Sequence, residues 1–198
     1  MGIFITIEGP NGVGKSTFIQ ALKEKLEDKY SVCLTKEPTD TSFGNYVRNN
    51  EQCLSGNAYA YLIAADRCYH LEEFIYRQLE QNDIVISDRY IESSLVLQSR
   101  DGVALDDIWR LNCKFRVPEL SIILTATEDK LQARLEERKI LTRFEKKLSR
   151  RSELEGYKEA ADFISQKGFN VLILSNDTYN DLRNNINTCI EMIHKILR

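Results

Sequence analysis

Five short apolar runs rich in Val, Ile and Leu punctuate the chain, at residues 3–8, 32–35, 84–88, 120–125 and 171–175. They are mostly continuous rather than alternating, the pattern of strands covered on both faces. Longer segments with helical spacing separate them. The clearest follows the first run, where Phe18, Ile19, Leu22 and Leu26 recur at three- and four-residue intervals among Gln20, Lys23, Glu24, Lys25 and Glu27. Residues 58–81, 128–138, 144–166 and 179–197 carry the same period. Strands alternating with helices predict an α/β fold of three layers, αβα, with a five-stranded parallel sheet flanked by helices on both faces.

Composition narrows the function without naming it. The 198 residues carry a formal charge of -3, with acidic and basic residues mixed throughout, so no basic stripe marks a partner for nucleic acid polymer. The five cysteines, Cys33, Cys53, Cys68, Cys113 and Cys189, are odd in number, far apart and free of any C-x-x-C pair. That usage fits reduced thiols in a cytoplasmic protein rather than a disulfide framework or zinc site. The apolar N-terminal run is too short to span a membrane and lacks the basic region and cleavage site of a signal peptide, so neither export nor membrane association is expected. Gly2 and Thr6 satisfy the loose myristoylation pattern M-G-x-x-x-[ST], but they also open the first strand. Without a repeat, a Pro-rich linker or a break in composition, the expectation is one domain over residues 1–198.

The first strand runs into Gly9-Pro10-Asn11-Gly12-Val13-Gly14-Lys15-Ser16, followed by Thr17 and the amphipathic helix. This is G-x-x-x-x-G-K-[ST] in the context the motif requires, strand before and helix after. Glycines let successive backbone N–H groups turn inward toward phosphate oxygens, and the helix presents its positive end to the same anion. Lys15 is placed to reach the outer phosphates of ATP, and the Ser16 hydroxyl to coordinate Mg2+.

The third run ends in Ser87-Asp88-Arg89-Tyr90. A carboxylate and a guanidinium therefore stand at the carboxyl edge of a strand, where open parallel sheets bind ligands. Asp88 is suited to hold magnesium with Ser16, and Arg89 to grip a phosphate bidentately. Taken alone, Asp88-Arg89 reads equally well as a structural ion pair closing a strand.

Together these segments resemble the thymidylate (dTMP) kinase family. The resemblance runs from end to end and rests on EGPNGVGKST at 8–17, TKEPTDTSFG at 35–44, AADR at 64–67, DRYIESSLVLQ at 88–98, VPELSIIL at 117–124 and TRFE at 142–145. It implies a P-loop kinase fold with a helical lid, transfer of the γ-phosphoryl of ATP to dTMP, and a homodimer. Residue by residue, it implies that Arg89 and Lys36 hold the acceptor phosphate and Arg67 reads the base edge. Ser94 and Gln98 would line the base pocket, and Arg48 would add a further contact to the nucleotide. The lid falls at residues 136–146. Because Gly12 occupies the P-loop position where some relatives carry a catalytic arginine, the lid must supply it here, from Arg138 or Arg143, with Lys139 between them.

Four positions depart from the family pattern. Asn11 stands where a carboxylate usually meets the acceptor sugar, and Lys36 replaces an arginine, giving a point charge in place of a fork. Ile63 and Leu97 occupy the places of a Phe that stacks on thymine and a Tyr that packs on deoxyribose. The phosphate chemistry is untouched, while the acceptor is blurred. Another nucleoside monophosphate kinase, a deoxynucleoside kinase, or a nucleotide-binding regulator without turnover are the alternatives.

Overall fold

The computed structural model describes residues 1–138 and 141–198. All five expected strands are present: β1 (Ile3–Glu8), β2 (Val32–Lys36), β3 (Ile84–Asp88), β4 (Leu120–Thr125) and β5 (Val171–Ser175). They form one parallel sheet in the order β2-β3-β1-β4-β5. The three inner strands are buried almost throughout, which is why they read as unbroken apolar runs, whereas β2 and β5 at the edges are half-buried.

Side chains of β1 alternate between the two faces. Ile3, Ile5 and Ile7 join Ile84, Ile86, Leu120 and Ile122 against α1 (Lys15–Leu26) and α10 (Tyr179–Ile196). On the other face, Phe4, Val85 and Ile123 pack beneath a larger helical layer. That layer contains α3 (Gly56–His70), a π-helical turn (Leu71–Ile75), α4 (Tyr76–Gln81), α5 (Ile91–Arg100), α6 (Leu105–Asn112) and α9 (Arg150–Ser165). The three-layer αβα fold expected from the sequence is thus the observed one.

The helices differ from expectation in three places. Residues 58–81 are helical as expected, but a π turn at Leu71–Ile75 interrupts the α geometry. The segment 144–166 is split into α8 (Arg143–Lys147) and α9, because Leu148 adopts extended backbone and Ser149 caps α9, its Oγ accepting from Ser152 N at 3.1 Å. Three helices lie outside the periodic segments: α2 (Ser42–Asn49), α5 and α6. Of the ten residues in α5, seven are buried, including Glu92, Ser93, Ser94 and Gln98, so its polar residues face inward and erase the amphipathic signature. The remaining helix, α7 (Glu128–Glu136), leads from the sheet to the segment expected to form the lid.

Candidate active site

β1 ends at Glu8 and the chain turns through the glycine loop into α1. Glycine is required at two points. Gly14 has φ 97°, and Gly9 has φ 137° with its Cα so close to Leu124 that a Cβ would meet the carbonyl oxygen. Gly14 also caps α1 without a side-chain hydrogen bond, so no side chain competes for the first N–H groups of that helix.

Lys15 folds back over the loop, its Nζ donating to the carbonyls of Gly9 at 2.8 Å and Pro10 at 3.1 Å. Burial, with the Arg89 guanidinium beside it, lowers its pKa to about 7. A cleft of about 400 Å³ opens over the loop, lined by six basic side chains, Lys15, Lys36, Arg48, Arg89, Arg134 and Arg138, against two carboxylates, Glu37 and Asp88. Such an excess of positive charge defines an anion site. Ser16 and Thr17 line it as well.

Asp88 stands at the end of β3, directly beside β1, facing the cleft with Ser16. Its Oδ1 is buried and has no hydrogen-bond partner among the described residues. A carboxylate oxygen left over in a cleft that a hydroxyl also lines suits a hard, oxygen-seeking cation. Among the described residues no group of three or more His, Cys, Asp or Glu side chains is gathered to hold a metal by itself. The donor set therefore fits an ion bound chiefly through phosphate and water, as magnesium is at such sites.

Arg89 is the junction of the site. Its backbone lies in the left-handed region at φ 78°, uncommon for a residue with a side chain, while its N–H donates to Ile7 O at 3.1 Å. Nη1 donates to Ser93 Oγ at 2.9 Å and Tyr157 Oη at 3.0 Å, and Nη2 to Asn11 Oδ1 at 2.7 Å. Burial disfavours the charge, but Tyr157, Asp88, Glu8 and Glu153 outweigh it and raise the pKa, keeping the guanidinium ionised. Beneath it, the buried Glu8 carboxylate accepts from Tyr90 N at 2.6 Å, Ser93 N at 3.2 Å and Ser93 Oγ at 2.6 Å, fixing the start of α5 against β1.

A second cleft, of about 200 Å³, lies between α3, α5 and α8. Arg67, 1% exposed, forms part of its wall. Its Nε donates to Glu37 Oε2 at 2.7 Å, Nη2 to Tyr90 O at 2.9 Å and Ser94 Oγ at 3.0 Å, and Nη1 to Asn112 Oδ1. Gln98 lines the same cleft, and its Oε1 is buried without a partner among the described residues. Ile63 and Leu97 are present as expected, together with three aromatic residues, Tyr90 and the neighbouring Tyr59 and Phe144, the last two with ring centroids 6.3 Å apart. Asn11, Glu37, Pro38, Arg48 and Arg89 line both clefts, so the two meet at Arg89.

Lys36 is half exposed, at the edge of the anion cleft, paired with Asp40 at 2.9 Å. Arg48 ties down the loop after β2, donating to Pro38 O, Thr39 O at 2.6 Å and Asn45 Oδ1 at 2.8 Å. The lid arginines diverge. Arg138 lines the anion cleft, half exposed and bonded to Glu145 at 2.6 Å, whereas Arg143 lines neither cleft. Arg143 instead donates to both oxygens of Asp101, at 3.0 and 2.9 Å, and stacks over Phe144 and Tyr59 with its guanidinium carbon 4.3 and 5.3 Å from the ring centroids. One nitrogen, Nη1, shared between the two oxygens of a buried carboxylate, together with two aromatic faces, holds Arg143 outside the anion cleft. Lys139 lies outside the described residues.

Several residues escaped the sequence reading. Arg134 of α7 spans from the loop carbonyls of Gly12 and Val13, at 3.3 and 3.1 Å, to those of Asn176 and Asp177, at 3.2 and 3.0 Å. Asn112, Glu153 and Tyr157 act on Arg67, Asn11 and Arg89 from distant segments, so no local motif announces them, whereas Glu37, which accepts from Arg67, escaped despite lying within the family segment 35–44. Glu8 did carry a signal, as a carboxylate ending an otherwise apolar buried strand.

A parallel sheet whose first strand feeds a glycine loop, with Lys15, Ser16 and Asp88 around one anion cleft, defines a P-loop nucleotide-binding protein. The sequence pattern of the thymidylate kinase family matches residues 7–186. A probable thymidylate kinase from Thermococcus onnurineus is 38% identical over 195 residues, 91% of this chain and 95% of that one. A second, from Pyrococcus horikoshii, is 35% identical over 192 residues, 91% of this chain and 94% of that one. Among solved structures, the thymidylate kinase of Ehrlichia chaffeensis has the same fold, with a TM-score of 0.73 and 24% identity over 97% of this chain and 98% of that one. The chain belongs to the thymidylate kinase family.

Proposed function

We propose that this protein transfers the γ-phosphoryl group of ATP to dTMP, giving dTDP and ADP. The observation that carries the reading is the meeting of an anion cleft over the P-loop with a second cleft along a shared rim that holds two arginines, Arg48 and Arg89. A triphosphate on the loop and a monophosphate in the second cleft would bring their reacting phosphates to that junction.

In such a transfer the protein positions its reactants and stabilises charge, with little covalent chemistry of its own. Lys15 leaves the Gly9 and Pro10 carbonyls for the outer phosphates and becomes fully protonated there. Ser16 and Asp88 would hold a magnesium ion, which would supply positive charge against the phosphates. Arg89 holds the acceptor phosphate, with Lys36 and Arg48 at the rim, and Arg138 reaches the transferring group from the lid. The fixed Arg67 with Ser94 and the unpartnered Gln98 carbonyl present polar edges to the base, and Ile63 with Leu97 flanks it. Arg134, between the P-loop and the loop after β5, borders a further pocket of about 300 Å³ with Asn176 and Tyr179, suited to the donor base.

The reading extends to the whole chain as one domain, since every strand belongs to the single sheet. Five unpaired cysteines among the described residues support a reducing, cytoplasmic place of action, and no helix among those residues is long and apolar enough to cross a membrane. A homodimer has a surface available in the exposed Tyr61, Tyr69 and Tyr76 along the helical stretch 56–81. Single-turnover ADP formation tests the activity. It should be fast with dTMP and slow without it, and equal rates would exclude a monophosphate acceptor.

A further inference from the structure

We propose that Tyr157 and Glu153, one turn apart on α9, are positioning residues that set Arg89 and Asn11 for the acceptor phosphate. The inference rests on the reading of Arg89 as the group that holds that phosphate. Neither side chain lines either cleft, and both are buried, Tyr157 at 0% and Glu153 at 1% exposure.

A guanidinium has five N–H donors, and two neighbouring ones grip a phosphate as a fork. In Arg89, three are engaged, two on Nη1 by Ser93 and Tyr157 and one on Nη2 by Asn11. Among the described residues, Nε–H and the second Nη2–H have no protein acceptor, so the engaged side decides where the free edge points. Tyr157 reaches that set from the far side of the sequence, 68 residues beyond Arg89 and on α9. Its hydroxyl accepts from Arg89 and can donate to Ser93 Oγ at 3.1 Å, while Ser93 donates to Glu8 Oε2 at 2.6 Å. Every O–H in this chain then has an acceptor, with the donors running toward the Glu8 carboxylate.

Glu153 acts on the other partner. Its Oε1 accepts the backbone N–H of Asn11 at 3.0 Å, fixing the loop residue whose Oδ1 receives Arg89. The same helix is tied to the lid, because Arg150 donates to the carbonyls of Glu145 at 2.8 Å and Leu148 at 2.5 Å, and Glu145 pairs with Arg138. One helix therefore carries the supports of the acceptor arginine and the base of the lid.

Tyr157→Phe keeps the ring and removes the hydroxyl. It should raise KM for dTMP about tenfold, the loss expected for one hydrogen bond to a charged group, with KM for ATP within about twofold and Tm nearly unchanged. Glu153→Ala should move acceptor KM in the same direction, and Glu153→Gln should restore it, since an amide oxygen still accepts the Asn11 N–H. Unchanged acceptor KM in Tyr157→Phe, equal changes in both KM values, or failure of the glutamine to rescue would overturn the proposal. Calorimetric affinity for dTMP gives the same comparison without turnover. If the parent prefers a different monophosphate, the substrate assignment falls and the comparison is run with that acceptor.

Discussion

Arg89 Nη2 donates to Asn11 Oδ1 across 2.7 Å, so the arginine that follows β3 and the phosphate loop that follows β1 form one hydrogen-bonded unit. The pairing brings residues 78 positions apart to the line where the two clefts meet. A lysine has no planar fork and reaches one partner where the guanidinium reaches three. Arg89→Lys should therefore lower kcat/KM for the acceptor by about a hundredfold or more while the ATP affinity changes little. Steady-state kinetics with each substrate varied in turn checks this, and an unaffected acceptor term would remove Arg89 from the junction.

Lys15 predicts a proton signature. With its pKa lowered to about 7 by burial and by Arg89, a part of the population is neutral at pH 7.5 in the free protein. Triphosphate binding restores the charge, so binding near that pH should take up protons. Calorimetry in buffers of different ionisation enthalpy measures the uptake directly. Lys15→Ala should abolish the uptake and cut turnover by orders of magnitude with the fold intact.

Glu92 predicts a pH dependence of stability. It lies under α5, accepting from Ser121 Oγ, with Thr6 Oγ1 at 3.4 Å and its Oε2 buried without a partner among the described residues. Burial, with the Glu8 charge nearby, pushes its pKa up from 4.5 to about 8. The folded protein then holds a proton that the unfolded chain releases. The stability contributed by the neutral acid is complete below the unfolded carboxyl pKa, declines as pH rises, and is gone above the folded pKa. Glu92→Gln should flatten that decline between pH 5 and 8 in denaturant titrations. A parent whose stability is level across the window would contradict the assignment.

How much of this was legible in the sequence depended on distance along the chain. The strands and the P-loop could be read because each is a local pattern, an apolar run or a motif set between strand and helix. The start of α8 had a local sign too, since Thr142 and Glu145 form a capping box, the S/T-x-x-E signature. Helix α5 could not be read by periodicity, because Ser94 and Gln98 face a cleft and Glu92 and Ser93 face the sheet. The supports of the site were hidden for a different reason. Asn112 on Arg67, Tyr157 on Arg89 and Glu153 on Asn11 are pairings that only the tertiary fold creates.

The lid arginines should separate kinetically. Arg138 lines the anion cleft, so Arg138→Ala should lower kcat about a hundredfold with little effect on acceptor KM, as expected of a charge used mainly in the transition state. Arg143 is bound to Asp101, which also receives Lys147 at 2.7 Å, so Arg143→Ala should lower Tm and leave kcat closer to the parent. The reverse pattern would mean that the two exchange places during turnover.

The acceptor remains the central claim, since Arg67, Ser94 and Gln98 are arranged for a base edge while Ile63 and Leu97 leave its faces to aliphatic contact. The direct measurement is coupled ADP release from the purified protein with ATP and magnesium against every deoxy- and ribonucleoside monophosphate and every nucleoside, ranked by kcat/KM. dTMP should rank first, with unphosphorylated nucleosides inactive because Arg89 has no phosphate to hold. A purine monophosphate or a free nucleoside at the head of the ranking, or ADP release indifferent to any acceptor, would contradict it.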